Sequence, residues 1–371
     1  DLRKIQDSLL NSGLEIRAII PSSRPNSPKE DVLRIKEEIL KARPDCLIVA
    51  SGGSGIDTTK AAGILAVLGG KIEDYFGIGK VSEKLQSLSK KLLPLIAVQT
   101  ASSSAAHLTK YSNITDTKTY QKKLIVDEAI IPPRALFDYS LTQTMSASFT
   151  STGAADGLSH CLEVYYGARL ESFQKIEEIS LLGIELILSS LEKALVSPSD
   201  LGAREACGLA TDLGGYAIMI GGTSGGHLTS FSLVDILSHG QASALMNPYY
   251  TVFFSPAIEK QLRSLAYLFG KYGLMKKVDD NLRGEALGLA VAQSLIEFNK
   301  RAGLPTTLGE IKGMSYAHIE KAIKEAQSPE LEMKLSNMPI PLSLNKVEHF
   351  LRPILEAALS GDFNLILRRG S

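Results

Sequence analysis

The stretch from Cys46 to Lys60, CLIVASGGSGIDTTK, joins a short apolar run to a glycine-rich turn and then to a helix rich in Ala and Leu. The run Cys46–Ala50 is typical of a strand buried on both faces of a parallel sheet. Glycines let a backbone approach a phosphate closely, and a helix N-terminus offers free N–H groups. The order predicts a phosphate-binding turn, although such turns also join strands to helices without a ligand, and this one matches neither Gly-x-Gly-x-x-Gly nor the P-loop pattern.

The flanking residues extend this α/β pattern. The small, hydroxyl-rich loop Gln99–Ala106 follows a predicted strand, at the end of the strand where doubly wound sheets bind ligands. Apolar periodicity predicts helices at Leu2–Leu10 and Lys29–Ala42, and strands at Leu14–Ile20, Leu92–Val98, Lys122–Val126, Ala129–Ile131 and Ala135–Phe137.

After about Thr142 the strand-like runs stop and helical periodicity continues almost to the end. We therefore predict a domain boundary near Leu141, with an α/β domain over 1–141 and a helical domain over 142–371. Predicted helices in the second domain are Ile176–Leu195, Leu201–Ile220, Ile258–Tyr272, Arg283–Arg301, His318–Ala326 and Leu344–Leu359.

The composition favours a soluble enzyme over a nucleic-acid or membrane protein. The 371 residues include 40 basic and 40 acidic side chains, so no net field attracts a polyanion. The three cysteines are widely spaced and form no Cys-x-x-Cys pair, which argues against a disulfide framework or a zinc ribbon. The N-terminal residues lack a signal-peptide pattern and no apolar run is long enough to span a membrane. We expect a cytoplasmic protein with a small-molecule partner.

Four side chains of the second half suggest a metal site. Asp156 and His160 are four residues apart in a helix-forming context, so they share a helix face. His227 and His239 follow in Gly-rich, apolar surroundings. One carboxylate and three imidazoles suit Fe²⁺ or Zn²⁺. The alternative is a surface hydrogen-bonded pair together with two core histidines.

Four motifs in this order and spacing resemble those of the iron-containing (group III) alcohol dehydrogenase family, over nearly the whole chain. Ser51 to Lys60 resembles Gly-Gly-Gly-Ser-x-x-Asp-x-x-Lys, and Thr100 to Thr109 resembles Thr-Thr-x-Gly-Thr-Gly-Ser-Glu-x-Thr. Asp156 to Glu163 matches Asp-x-Leu-x-His-x-x-Glu, and His239 to Pro248 resembles His-Gly-x-x-Asn-Ala-x-x-x-Pro, with Ser243 in place of the Asn.

The resemblance implies a Rossmann-like α/β domain with a mostly parallel sheet that binds NAD or NADP. It also implies an all-α second domain, a dehydroquinate synthase-like architecture, and a metal in the cleft between the domains. The implied metal ligands are Asp156, His160, His227 and His239, and the implied cofactor residues are Asn26, Gly52, Gly53, Ser54, Asp57, Thr100, Ser104, Thr109 and Lys122. Asn26 as a plain turn residue, and Lys122 with Lys123 as a solvated pair, are the alternatives.

The chain departs from the family pattern at several positions. The family's opening strand, with the acidic residue that reads the adenosine ribose, has no counterpart in the sequence given, as a truncation would also produce, so NAD and NADP are not distinguished. His107 stands where the family usually has Glu. On an alignment that needs a gap before His239, Phe231 occupies the place of a second, proton-relaying histidine, which leaves water, the cofactor ribose, Thr229 or Ser230 as the proton path.

These features predict a metal-dependent oxidoreductase that transfers a hydride between NAD(P) and a small alcohol, aldehyde or polyol. The expected assembly is a homodimer. One alternative is a carbocycle-forming lyase like dehydroquinate synthase, which uses NAD and metal. The shortage of basic residues for a phosphorylated substrate around the metal motifs argues against it. The other alternative is a family member that has lost catalysis.

Overall fold

The computed structural model describes residues 2–276 and 279–367. The chain divides into two compact units. One unit comprises the chain through Ala101 together with Ala105–Thr142, and the other comprises Ser102–Ser104 together with the chain from Gln143 onward.

The first unit is an α/β structure with two small sheets. Its helices are α1 (Leu2–Asn11), α2 (Lys29–Ala42), α3 (Gly53–Leu68) and α4 (Lys80–Leu88), and its strands are β1 (Leu47–Ser51), β2 (Gly77–Ile78), β3 (Leu95–Gln99), β4 (Tyr111–Asp116), β5 (Gln121–Val126) and β6 (Arg134–Phe137). One sheet has the order β1-β3-β6 and is parallel throughout. In the other sheet β2 runs parallel to β5, whereas β4 runs antiparallel to β5.

Helix α3 organises the core of this unit. It packs against α2, β1 and β4. Its own Ala, Ile and Leu residues occur on every face of the helix, and most of its residues are buried. The prediction of α2 at Lys29–Ala42 is confirmed, as are the strands over most of β1, β3, β5 and β6. The mostly parallel α/β fold follows from these elements.

Two predicted strands are wrong. The segment 14–20 forms no ladder with a strand among the described residues; Leu14 and Ile19 are more than half exposed. Its apolar residues follow the pattern of a strand, but a strand also needs a neighbouring strand that accepts and donates backbone hydrogen bonds. At 129–131 the chain instead makes a 3₁₀ turn, Glu128–Ile130, because Asp127 Oδ1 accepts the Ala129 N–H at 3.0 Å.

The second unit is helical. It contains α5 (Ala147–Tyr166), α6 (Phe173–Val196), α7 (Leu201–Ile220), α8 (Gly225–Ser230), α9 (His239–Phe254), α10 (Glu259–Lys271), α11 (Gly284–Arg301), α12 (Tyr316–Ala326), α13 (Glu332–Ser336) and α14 (Val347–Ser360). None of the described strands lies in this unit, which confirms the predicted all-α character. No helix in the described part of the chain has both the length and the apolar composition needed to cross a membrane.

Helix α5 is the central element of the second unit. It packs against α6, α7 and α9, and almost every residue from Thr150 to Tyr166 is buried. Ser146 caps its N-terminus, since the Ser146 side chain accepts the Phe149 N–H at 3.2 Å. A buried helix of this kind can hold polar side chains at fixed positions inside the unit.

Candidate metal centre

Three helices bring the predicted ligands together. Asp156 and His160 lie on one face of α5, His227 lies in the short helix α8, and His239 is the first residue of α9. Helix α9 approaches α5 closely at Gly240, where a Cβ would lie 2.3 Å from the Thr152 carbonyl oxygen and 3.0 Å from Asp156 Cβ. The absence of a side chain at that position lets His239 reach Asp156.

Asp156, His227 and His239 form the core of the candidate metal centre. One ligand-type atom from each lies within 4.8 Å of the other two. Asp156 Oδ1 is 3.6 Å from His227 Nε2 and 4.0 Å from His239 Nε2. Asp156 and His227 are almost completely buried, whereas the His239 side chain is 19% exposed and forms the open side of the group.

The donor atoms of this group fit a divalent cation. Asp156 Oδ1 and His227 Nε2 are buried and make no hydrogen bond with the described residues, an arrangement that costs free energy unless a ligand is present. Their 3.6 Å separation is too long for a hydrogen bond. Two ligands of a tetrahedral ion at ~2.1 Å are separated by roughly 3.4 Å, close to the distance found here.

His160 lies beside this group rather than within it. Its ring stacks on the His227 ring with the centroids 4.6 Å apart, and its ligand atoms fall outside the 4.8 Å cluster. Burial lowers the pKa of His160 to about 4, although the charge of Asp156 acts in the opposite direction. The imidazole is therefore neutral at physiological pH, which is the form that binds a metal. Its buried Nδ1 has no hydrogen-bond partner among the described residues.

Burial raises the pKa of Asp156, but the nearby His160, His227 and His239 outweigh burial and hold that pKa below its usual range. The carboxylate is therefore ionised throughout the physiological pH range. An ionised, buried carboxylate without a hydrogen-bond partner at one oxygen is the chemical form that a divalent cation needs.

Glu163 fixes the orientation of His227. Glu163 Oε1 lies 2.7 Å from His227 Nδ1, and Glu163 Oε2 accepts the Ser224 N–H at 2.8 Å and the His227 N–H at 3.3 Å. A carboxylate at Nδ1 holds the proton there and leaves the Nε2 lone pair for a metal. Glu163 entered the sequence analysis only as a motif residue; its spacing of seven from Asp156 places both on one face of α5.

Ser230 orients the ring of His239 in the same way. The Ser230 hydroxyl donates to the His227 carbonyl oxygen at 2.8 Å and lies 3.0 Å from His239 Nδ1. Because the single hydroxyl proton is directed to the carbonyl, Nδ1 is the donor in the second contact, and Nε2 carries the lone pair. Thr229, the other residue considered for proton transfer, bonds instead to the Tyr250 hydroxyl at 2.8 Å.

Phe231 packs against the exposed side of the group. Its ring centroid is 5.8 Å from that of His239, and the side chain is only 2% exposed. A buried lysine, Lys334, contacts the same ring, with Nζ 4.9 Å from the Phe231 ring centre. Sequence reasoning missed Lys334, because its only signal is a charge inside the apolar-patterned segment Leu331–Leu335.

In the first unit, the predicted phosphate-binding turn joins β1 to α3. Gly52 is the N-cap of this 16-residue helix and supplies no side-chain cap; the Gly55 and Ile56 N–H groups donate to the Gly52 carbonyl oxygen at 3.1 and 3.3 Å. The turn at Asn26 packs onto the first turn of α3, where the Asn26 N–H donates to Ser54 Oγ at 3.0 Å. Asn26 has a left-handed φ of 66°, which Asn tolerates better than most residues.

Asp57 and Lys60 stabilise this turn from below. Asp57 Oδ2 accepts the Asn113 backbone N–H at 3.0 Å, and burial raises the pKa of Asp57 against the opposing charges of Lys60 and Lys122. Lys60 Nζ donates to the carbonyl oxygens of Ala106, Thr109 and Tyr111 at 2.7, 2.7 and 2.9 Å. These bonds fix the loop that follows β3 against α3.

The remaining cofactor residues are distributed over both units. The Thr100 N–H donates to the Ser51 carbonyl oxygen at 3.1 Å, which joins the two predicted cofactor loops within the first unit. Lys122 is buried on β5, so the alternative of a solvated Lys122–Lys123 pair is wrong. Ser104 belongs to the second unit, and its buried Oγ has no hydrogen-bond partner among the described residues.

Comparison with known protein families gives a clear result. Residues 1–139 match the family model described as iron-containing alcohol dehydrogenase, and residues 150–355 match that of the C-terminal part of the Fe-containing alcohol dehydrogenase family. The chain belongs to the iron-containing alcohol dehydrogenase family. The predicted membership is thereby confirmed.

Proteins with similar sequences are named as dehydrogenases. An NAD-dependent methanol dehydrogenase of Bacillus methanolicus is 27% identical over 87% of this chain and 81% of its own length. An NADPH-dependent butanol dehydrogenase of Clostridium saccharobutylicum is 28% identical over 83% of this chain and 75% of its own length. Among solved structures, the alcohol dehydrogenase from Oenococcus oeni has a TM-score of 0.82 at 23% identity, over 96% of this chain and 88% of that one. This structure confirms the fold.

Proposed function

We propose that this member of the iron-containing alcohol dehydrogenase family is an NAD(P)-dependent, metal-dependent oxidoreductase acting on a small alcohol or its aldehyde. The observation that carries the proposal is the group Asp156, His227 and His239, in which two buried donor atoms lack partners among the described residues and lie 3.6 Å apart. The dehydrogenase names of the relatives support it over a carbocycle-forming lyase.

Asp156, His227 and His239 would hold the cation, and His160 is the proposed fourth ligand. A divalent cation bound there would act as a Lewis acid on the oxygen of the substrate. Glu163 and Ser230 contact the Nδ1 atoms of His227 and His239, so both rings are held in place before a cation binds and little reorganisation is needed at the moment of reaction.

Phe231 gives the site its apolar side. At 2% exposure it excludes water next to His239, which strengthens the electrostatic interactions there. No imidazole occupies this position, and the Ser230 hydroxyl is engaged with the His227 carbonyl oxygen and with His239 Nδ1, so we propose that the proton leaves through water or the cofactor ribose hydroxyl. Thr229 is a weaker candidate, since its hydroxyl is engaged with Tyr250.

The N-terminus of α3 would hold the pyrophosphate of the nicotinamide cofactor. The N-cap Gly52 leaves the first N–H groups of α3 unsatisfied by any side chain, and Ser54 lies in the first turn of the helix. The nicotinamide of a cofactor bound there would supply the hydride acceptor or donor. The choice between NAD and NADP, the identity of the metal and the homodimer stay predictions.

Anaerobic reconstitution tests the proposal. Protein loaded with Fe²⁺ or Zn²⁺ is incubated with a panel of short primary alcohols and either NAD⁺ or NADP⁺, and reduced cofactor is followed by absorbance. We expect steady reduction with at least one alcohol, and loss of bound metal and of turnover in Asp156→Ala and His239→Ala. Asp280→Ala, which removes an exposed carboxylate paired with Tyr267, is the matched control. Full metal content in both site variants would overturn the ligand assignment.

A further inference from the structure

The α8–α9 loop, residues 231–238, connects helix α8 to His239, the first residue of α9. Leu233 and Leu237 of this loop are buried, and the Leu237 N–H donates to the Leu233 carbonyl oxygen at 2.9 Å, which closes a turn. Asp235 lies in the middle of this turn, with its side chain 25% exposed. Because His239 follows only four residues later, a shift of the turn would move the first turn of α9 and the His239 ring with it.

Two side chains of α12 hold the carboxylate of Asp235. Asp235 Oδ2 lies 3.2 Å from His318 Nε2, and Asp235 Oδ1 lies 3.7 Å from Lys321 Nζ. His318 and Lys321 are three residues apart on the helix, so they face the same side. The three side chains are only 15 to 25% exposed, so solvent and salt screen these contacts less than they screen fully exposed pairs.

The two ring nitrogens of His318 contact different segments. The Ser315 N–H donates to Nδ1 at 3.2 Å, and the Ser315 hydroxyl lies 2.9 Å from the same atom. A backbone N–H can only donate, so Nδ1 is an acceptor and the ring proton is on Nε2, facing Asp235. Ser315 and His318 form the capping box of α12. One side chain therefore caps α12 and also donates to the α8–α9 loop.

Helix α12 is anchored on α14. Glu320 of α12 accepts two hydrogen bonds from Arg352 of α14, at 2.7 and 3.0 Å, and this bidentate geometry fixes orientation as well as distance. The buried residues of α12 are Ile319, Ala322, Ile323 and Ala326. Asp235 is therefore attached to a fixed helix, and the α8–α9 loop is attached through it.

We propose that Asp235 and His318 are positioning residues for the metal centre, which hold the α8–α9 loop so that His239 Nε2 stays 4.0 Å from Asp156 Oδ1. They act through the loop and not by contact with the cation. Asp156 and His227 are almost completely buried, whereas the His239 side chain is 19% exposed, so its place depends more on the segment that leads to it. The inference rests on the proposed metal-dependent function.

Zinc titration separates this role from a contribution to stability. In competition with a chromophoric chelator, Asp235→Ala should weaken Zn²⁺ affinity by about three- to tenfold, because two partly exposed contacts are lost. A loss of stability of that size would leave nearly all molecules folded and would not by itself weaken Zn²⁺ binding. Asp235→Asn keeps an oxygen that accepts from His318 Nε2 and should lie between Asp235→Ala and wild type.

His318→Gln is the sharper variant. Glutamine at the third helical position completes the capping box with Ser315, so α12 keeps its cap, but the ring nitrogen that faces Asp235 is lost. Zn²⁺ affinity should fall by about two- to fivefold, with little change in the midpoint of urea unfolding. Combined with Asp235→Ala, it should add no further loss, because both changes remove the same contact.

Glu297→Ala is the matched control, because it removes an exposed carboxylate that pairs with Arg301 at 2.9 Å within α11, and it should leave Zn²⁺ affinity unchanged. Wild-type affinity in both Asp235→Ala and His318→Gln, or additive losses in the double variant, would overturn the positioning role and leave the metal centre standing. His318→Gln decides the question if Asp235→Ala does not fold. If the wild-type protein binds no Zn²⁺, the proposed metal centre is refuted, and the role of Asp235 with it.

Discussion

Glu163→Gln is the substitution that most directly tests how the protein prepares its metal ligands. Glu163 receives three N–H groups, from the Ser224 backbone, the His227 backbone and the His227 ring, at 2.8, 3.3 and 2.7 Å. Glutamine has nearly the same shape but replaces one acceptor oxygen by an NH₂ donor. Whichever way the amide is turned, one of its hydrogens opposes a buried N–H of Ser224 or His227, and the negative charge is lost.

The expected cost falls on metal binding. If the NH₂ group faces Nδ1, His227 must move its proton to Nε2, which is the atom proposed to bind the cation. If it faces the backbone, α8 must shift and carry His227 with it. Loss of a carboxylate that orients a ligand histidine typically weakens metal affinity by ~10- to 100-fold. At about 1.4 kcal/mol per tenfold change, this corresponds to about 1.4 to 2.8 kcal/mol of binding free energy.

Anaerobic Zn²⁺ titration in competition with a chromophoric chelator measures this change directly. Circular dichroism checks that the helical content is preserved. Glu177→Gln is a suitable control, because Glu177 is a partly buried carboxylate that accepts from the Tyr165 hydroxyl at 2.6 Å and is proposed for no role in the site. If Glu163→Gln binds Zn²⁺ within twofold of wild type while Asp156→Ala does not bind, the proposed orienting role of Glu163 is refuted.

Three further predictions concern the scaffold. Lys60→Met should lower the free energy of unfolding by about 2 to 4 kcal/mol in urea denaturation, because three carbonyl oxygens lose a charged donor; Lys36→Met, whose partner Glu37 is exposed, should change it by less than about 1 kcal/mol. Gly157→Ala should destabilise by about 1 to 3 kcal/mol and weaken Zn²⁺ binding, since its Cβ would lie 2.9 Å from Thr211 Cγ2 and separate α5 from α7, whereas Gly202→Ala meets only Asp200 at 3.5 Å and should be tolerated. In thiol labelling at pH 8, exposed Cys46 should react rapidly in the folded protein and Cys161 should not, because burial raises the pKa of the Cys161 thiol to about 12; rapid labelling of Cys161 without denaturant would contradict its placement.

Helices with a clear apolar period were predicted well because their hydrogen bonds are internal. The predicted α2 and α7 have the observed boundaries. Strands are harder to predict because they depend on partners elsewhere in the chain. The run at Leu14–Ile20 has the composition of a strand but forms no ladder among the described residues. Strand β4 was not predicted, although it pairs with β5 along its whole length. The short α8 was also missed, because six residues with two glycines carry no usable period.

At the metal centre, residue type and spacing identified side chains but not their relations. Asp156 and His160 share a face of α5 as the four-residue spacing requires, yet only Asp156 joins His227 and His239 within 4.8 Å. Which imidazole lies at the centre depends on how α8 and α9 pack on α5, and tertiary contacts decide that packing. The role of Ser230 and the position of the buried Lys334 depend likewise on contacts between distant segments, and neither residue stands in a motif with a mechanism of its own.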